Sequence, residues 1–194
     1  MNGIARALAR KEYEKTQMRY SAAADSGADW GLTLIYNALH DKYGFGRERL
    51  EKLVSKWNDV DQQPKGFIQR WRDELAAYGF DARMNERDAQ ELERMITGRT
   101  RDRRMRMYTT DHVAASIIVT MYTLRKEFGF GKKRITDLQR YTHDKFGAVL
   151  KSGVPIWEFM KCLSVECAVD YPALRLYEEK FGPVDIYRGD RGKR

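Results

Sequence analysis

The chain carries one unit twice, and that limits the folds open to it more than any other feature. Residues 34–50 read Leu-Ile-Tyr-Asn-Ala-Leu-His-Asp-Lys-Tyr-Gly-Phe-Gly-Arg-Glu-Arg-Leu. Residues 119–135, 85 positions on, read Val-Thr-Met-Tyr-Thr-Leu-Arg-Lys-Glu-Phe-Gly-Phe-Gly-Lys-Lys-Arg-Ile. Both copies contain aromatic-Gly-Phe-Gly-basic-x-Arg-aliphatic, and Leu53 and Leu138 follow three positions later. Self-similarity at a fixed spacing makes each copy one supersecondary unit and calls for an architecture built on the pair.

Apolar spacing within each copy is helical. Leu32, Ile35, Tyr36 and Leu39 recur at i, i+3, i+4 and i+7, as do Leu50, Leu53, Val54 and Trp57. Phe67, Ile68, Trp71 and Leu75 form a third stripe after Pro64. The second copy has Ile117, Met121 and Leu124, then Ile135, Leu138 and Tyr141, then Ile156, Phe159, Met160 and Leu163 after Pro155. Between them, 86–97 reads as a helix, with Asn85 and Asp88 as a capping pair and Gly98 as its stop. Asp111 is placed to cap the first helix of the second copy. Pro172 and Pro183 bracket a last short helix.

The expectation is an all-α protein of two homologous three-helix modules in tandem, joined by a helix and an arginine-rich connector. Its segments are a basic N-terminal arm (1–27, breaking at the small residues 21–27), module one (28–80), the linker helix and connector (81–110), module two (111–180) and a basic tail (181–194). Gly44 and Gly129 stand where a left-handed residue ends a helix, and the following phenylalanine folds back on the last turn.

A hydrophobic content of 42% supports a real core, and no apolar run approaches the roughly 20 residues that span a bilayer. The two cysteines, Cys162 and Cys167, provide no disulfide framework, which points to a reducing compartment. Five positions apart on a helix they point to different sides, which argues against a local metal pair. His40, His112 and His143 lie on separate elements without metal-ligand spacing. Gly-Phe-Gly joins two helices, so it is no phosphate loop of the strand–helix type. No catalytic residues, metal or cofactor are expected, and the chain is read as a non-enzyme.

The net charge of +8 is concentrated. Arg99, Arg101, Arg103, Arg104 and Arg106 fall within eight residues against one acid, Asp102. Five cations precede Met18 and Tyr20 or lie between them, and the last seven residues add four more. Clustered cations of this kind fit an anionic partner, nucleic acid above all. The candidate contacts are Arg99, Arg101, Arg103, Arg104 and Arg106, then Lys132, Lys133, Arg134 and Arg140. Lys132, Lys133 and Arg134 sit at a helix N-terminus, where free N–H groups favour an anion. A helix-turn-helix reading is open for the second copy, whose second helix would present Lys132, Lys133, Gln139, Arg140 and His143.

The string Leu-His-Asp-Lys-Tyr-Gly-Phe-Gly-Arg-Glu-Arg-Leu, the Trp57-Asn58-Asp59 helix end and the Ile68-x-x-Trp71-x-x-x-Leu75 helix resemble small accessory proteins of bacteriophages and prophages. Those carry a single Gly-Phe-Gly-[Lys/Arg]-x-Arg-Leu helical module; here two copies cover about residues 28–80 and 111–170. Ile135 in place of leucine and the basic connector depart from that pattern. The resemblance implies action in the bacterial host cytoplasm by occupying a target rather than by chemistry. That target would be nucleic acid or a host nucleoprotein complex, including a defence nuclease such as a CRISPR effector. No membrane and no small-molecule substrate are implied. The alternative is a protein–protein assembly factor whose basic segments only keep it soluble.

Overall fold

The computed structural model describes residues 3–57, 59–81, 86–98 and 100–188. Among them are eight α-helices, one short 3-10 turn at Val60–Gln62 and no strand. The helices are α1 (Gly3–Tyr43), α2 (Arg47–Trp57), α3 (Phe67–Ala76), α4 (Glu86–Thr97), α5 (Arg103–Glu127), α6 (Lys132–Ser152), α7 (Ile156–Cys167) and α8 (Pro172–Phe181). The protein is all-α.

The repeated turns are the same structure twice. Gly44 and Gly129 have φ of 61° and 63°. Phe45 N–H donates to Leu39 O at 3.3 Å and Phe130 N–H to Leu124 O at 3.1 Å, the 6→1 bond of a Schellman stop. Leu50 N–H to Gly46 O and Ile135 N–H to Gly131 O, both 3.1 Å, then open the next helix. Phe45 and Phe130 are buried and pack on each other's neighbourhood, Phe45 lying 5.3 Å from Phe128 and 6.2 Å from Phe130 between ring centres.

α1 and α5 are the centre of the fold and run parallel. Thr109 Oγ1 donates to Ala23 O, Gly27 lies on Thr109, Gly31 on Val113 and Ser116, and Phe45 meets Phe128 further on. The second half of α1 thus runs beside its equivalent segment in the second copy. Leu34, Ile35, Ala38 and Leu39 are fully buried, as are Ile118, Met121 and Leu124. A helix apolar on several sides in this way belongs inside a bundle rather than on its surface. Small hydroxyl side chains in the interface are satisfied within their own helix: Ser116 Oγ donates to Val113 O at 2.8 Å and Thr120 Oγ1 to Ser116 O at 2.9 Å.

The other helices cross between copies. α6 and α7 of the second copy pack on α1, while α2 and α3 of the first pack on α5. Trp71 stacks on Tyr122 at 4.2 Å, and Arg125 bonds Glu74 at 3.0 Å and the Tyr78 hydroxyl at 3.0 Å, tying α3 to α5. Residues of both copies form one hydrophobic core, so 28–80 and 111–180 are interlocked rather than two separate globules.

Several expected boundaries differ from the structure. The small residues 21–27 do not break the helix: α1 passes straight through them, because Gly27 serves a close helix–helix approach and not a turn. Trp30 therefore lies within α1. α5 starts at Arg103 with Asp102 as its cap, not at Asp111, so most of the arginine connector is the first turn of a helix. The linker helix α4 is part of the body, with Leu92 fully buried in the shared core. α6 runs on to Ser152. Tyr187, read from sequence as tail, stacks on Phe159 at 4.0 Å and its N–H donates to Glu158 O. Asn85, Arg99 and residues 189–194 lie outside the described residues.

Candidate nucleic-acid interface

Asp102, the one acid in the arginine run, is a helix cap. Its Oδ1 accepts from Arg104 N–H at 3.0 Å and Met105 N–H at 3.2 Å. These bonds, Met105's first, hold its carboxyl below the usual range, helped by the Tyr20 hydroxyl and the Arg19 charge. The cap also offsets the unfavourable placement of cations at a helix N-terminus. Arg103, Arg104 and Arg106 therefore radiate from a fixed turn, all exposed, with Arg101 exposed just before it.

They fall on two sides of α5. Arg103 and Arg106 border a cleft of about 580 Å³ against α4, together with Arg94, Gln90 and Thr110. Glu93 is the acid there and lies 3.6 Å from Arg106. Arg104 faces α1 across a smaller cleft of about 190 Å³ with Gln17, Tyr20, Tyr108 and Asp111. The Tyr20 and Tyr108 rings stack at 5.5 Å and join the two helices.

Parallel packing of α1 and α5 adds the arm to this end. Arg6, Arg10, Lys11, Lys15 and Arg19 are all exposed on the first half of α1, where burial begins only at Ala23. Arg10 pairs with Glu14 at 2.8 Å. Segments separated by about eighty residues in the chain thus bring their cations to one end of the fold, around the stacked tyrosines. This juxtaposition depends on α1 being one helix, so a chain broken at 21–27 would not show it.

Lys132, Lys133 and Arg134 are exposed at the opposite end of α5, roughly 35 Å away at 1.5 Å per helical residue. Gly131 gives α6 no side-chain cap. Arg134 lies over Phe130 at 5.5 Å, and Arg140 pairs with Asp137 at 3.3 Å. Gln139 is engaged on both atoms by the Asp81 backbone, at 2.8 and 3.0 Å. The segment after α3 therefore occupies one residue of the expected recognition face, Gln139, while Lys132, Lys133, Arg140 and His143 stay exposed. In the first copy, Arg49 donates to Gly44 O at 2.6 Å and covers Phe45, and Arg47 pairs with Glu51 at 2.7 Å. Arg49 thus closes the turn, while Arg47 is paired along the exposed side of α2.

A second cluster joins α1 to α7. His40 Nδ1 is 2.8 Å from Phe45 O, and its Nε2 is 2.7 Å from Glu166 Oε2. Cys162 and Cys167 are both buried; Cys167 Sγ lies 3.4 Å from His40 Nδ1. Donor atoms of His40, Cys162 and Glu166 lie within 4.8 Å of one another. The spacing of the cysteines on their own helix argues against a local metal pair, but both thiols approach His40 of α1. Sequence offers only the i, i+4 relation of Cys162 and Glu166; nothing in it joins α7 to α1. Beyond this cluster, burial first and Asp25 second push the Asp29 carboxyl up, at the edge of a cleft of about 530 Å³ between α1, α2 and the connection from α7 to α8.

No family model matches this chain, and no curated protein or solved structure matches it. No helix among the described residues is long and apolar enough to cross a membrane.

Proposed function

We propose that the chain is a non-enzymatic accessory protein of the phage type that binds nucleic acid, free or within a host nucleoprotein complex such as a defence nuclease. One observation carries this reading: the basic half of α1 and the arginines at the start of α5 share one end of the fold. Exposed guanidiniums fixed by a helix cap suit phosphate contacts, and Tyr108, 43% exposed beside them, offers a ring for base stacking.

An apolar stripe on the arm would favour the assembly-factor alternative there. Leu8, Tyr13 and Met18 are the arm's large exposed apolar side chains. Spaced by five, they turn about 140° at each step around the helix and form no stripe. That supports a charged partner for the arm over a hydrophobic groove.

Titrating an unspecific duplex and a single-stranded oligonucleotide with salt tests the reading. With roughly five phosphates engaged, affinity is expected to fall about 10²–10³-fold between roughly 50 and 200 mM salt. Binding that ignores salt would remove phosphate contacts from the account and leave the protein-partner alternative.

A further inference from the structure

We propose that His40, Cys162 and Glu166 form a binding site for one zinc-class divalent cation, clamping α1 to α7. Phe45 O is an acceptor, so Nδ1 carries the proton that donates to it across 2.8 Å. That leaves Nε2 facing a second acceptor, Glu166 Oε2, at 2.7 Å. Two electron-pair donors at that distance require a proton or a metal cation between them.

Cys162 decides between the two. A proton needs only the imidazole and the carboxylate. Here a buried thiol also converges, with its sulfur within 4.8 Å of both partners, one helical turn before Glu166 on the same face of α7. Imidazole, thiolate and carboxylate are a donor set for zinc, three protein ligands leaving a fourth position open. A tetrahedral ion at ~2.0–2.3 Å requires donor separations near 3.2–3.8 Å, so Nε2 and Oε2 would part from their 2.7 Å and the sulfur would draw in from within 4.8 Å. The bond from Nδ1 to Phe45 O is the outer-shell contact that usually fixes a ligating imidazole. His40 and Glu166 side chains are 16% and 34% exposed, so an ion has a path in from the Glu166 side.

The site would join copy one to copy two, because α1 belongs to the first and α7 to the second. Phe45, whose carbonyl orients His40, is the phenylalanine of the first Gly-Phe-Gly turn, so the turn and the ion would be coupled. Cys167 sits at the other edge of the ring, nearer Nδ1, and lies outside the donor set.

Cobalt(II) titration of the chelator-treated full chain tests this by the near-ultraviolet thiolate-to-cobalt charge-transfer band. The band is expected to saturate at one ion per chain, vanish in Cys162→Ser and persist in Cys167→Ser. Glu166→Gln, a rim substitution that does not threaten folding, is expected to weaken binding by more than about tenfold, at least the loss typical of an outer-shell partner. The absence of a band in the native chain overturns the proposal, leaving a proton-bridged His–Glu pair. So does a band that survives Cys162→Ser or disappears with Cys167→Ser, and so does unchanged affinity in Glu166→Gln.

Discussion

Gly27→Ala is expected to destabilise the protein by about 1–3 kcal/mol, although alanine is the better helix former by about 1 kcal/mol. A Cβ at Gly27 would lie 2.4 Å from Thr109 O, 3.1 Å from Thr109 C and 3.2 Å from its Cα. All three atoms are backbone, so no rotamer change relieves the clash and α5 must move away from α1. The separation affects the most extensive helix pair in the fold and, through it, the stacked Tyr20 and Tyr108 rings. Gly147→Ala supplies the contrast. Gly147 is also inside a helix, but nothing lies within 4 Å of an added Cβ. That substitution is expected to stabilise by about 0.5–1 kcal/mol. Urea midpoints of the two variants should move in opposite directions; a stabilised Gly27→Ala would mean that α1 and α5 do not meet there.

Lys145→Met is the other substitution expected to have a large effect. Lys145 bonds Asp41, joining α6 to α1, and the two side chains are only 9% and 7% exposed. The ammonium also lies 4.6 Å from the Tyr187 ring centre, which helps hold residues after α8 on the body. Removing it leaves the Asp41 carboxylate buried without that cation, at an expected cost of about 3–5 kcal/mol. Pairing it with Asp41→Leu removes both charges, and the double variant is expected to recover part of the loss. A double-mutant cycle measures the coupling. Additive single effects, each under about 1 kcal/mol, would place this pair in solvent.

What the sequence discloses depends on how local the deciding force is. The two Schellman stops, the end of α4 at Gly98 and the start of α8 at Pro172 are set by residues within a few positions, and these are legible. Gly98 indeed has a φ of 67° just past α4. The course of α1 through residues 21–27 is not. Glycine and serine there lower intrinsic helicity, and only the opposing Thr109 backbone explains why glycine is used. The start of α5 is hidden for a related reason, since cations in a first turn mask the capping role of Asp102.

The candidate site divides in the same way. The arginines stand out from charge alone, but Arg104's position beside Gln17 and Tyr20 requires the parallel pairing of α1 and α5. Lys132, Lys133 and Arg134 look equivalent to the arginines in composition, and only the length of α5 separates them. His40 does not stand out in the sequence because its partners, Cys162 and Glu166, come from a helix more than a hundred residues later.

The central claim is that one end of the fold, where α1 and α5 begin, meets the anionic partner. Two variants of the full chain probe it against the same oligonucleotide: Arg101, Arg103, Arg104 and Arg106 changed together to serine, and Lys132, Lys133 and Arg134 changed together to serine. The first is expected to reduce the slope of log affinity against log salt by about three to four, close to one for each phosphate no longer neutralised. The second is expected to keep a slope near that of the unaltered protein. Equal reductions in the two variants, or a slope retained without the four arginines, would contradict the account.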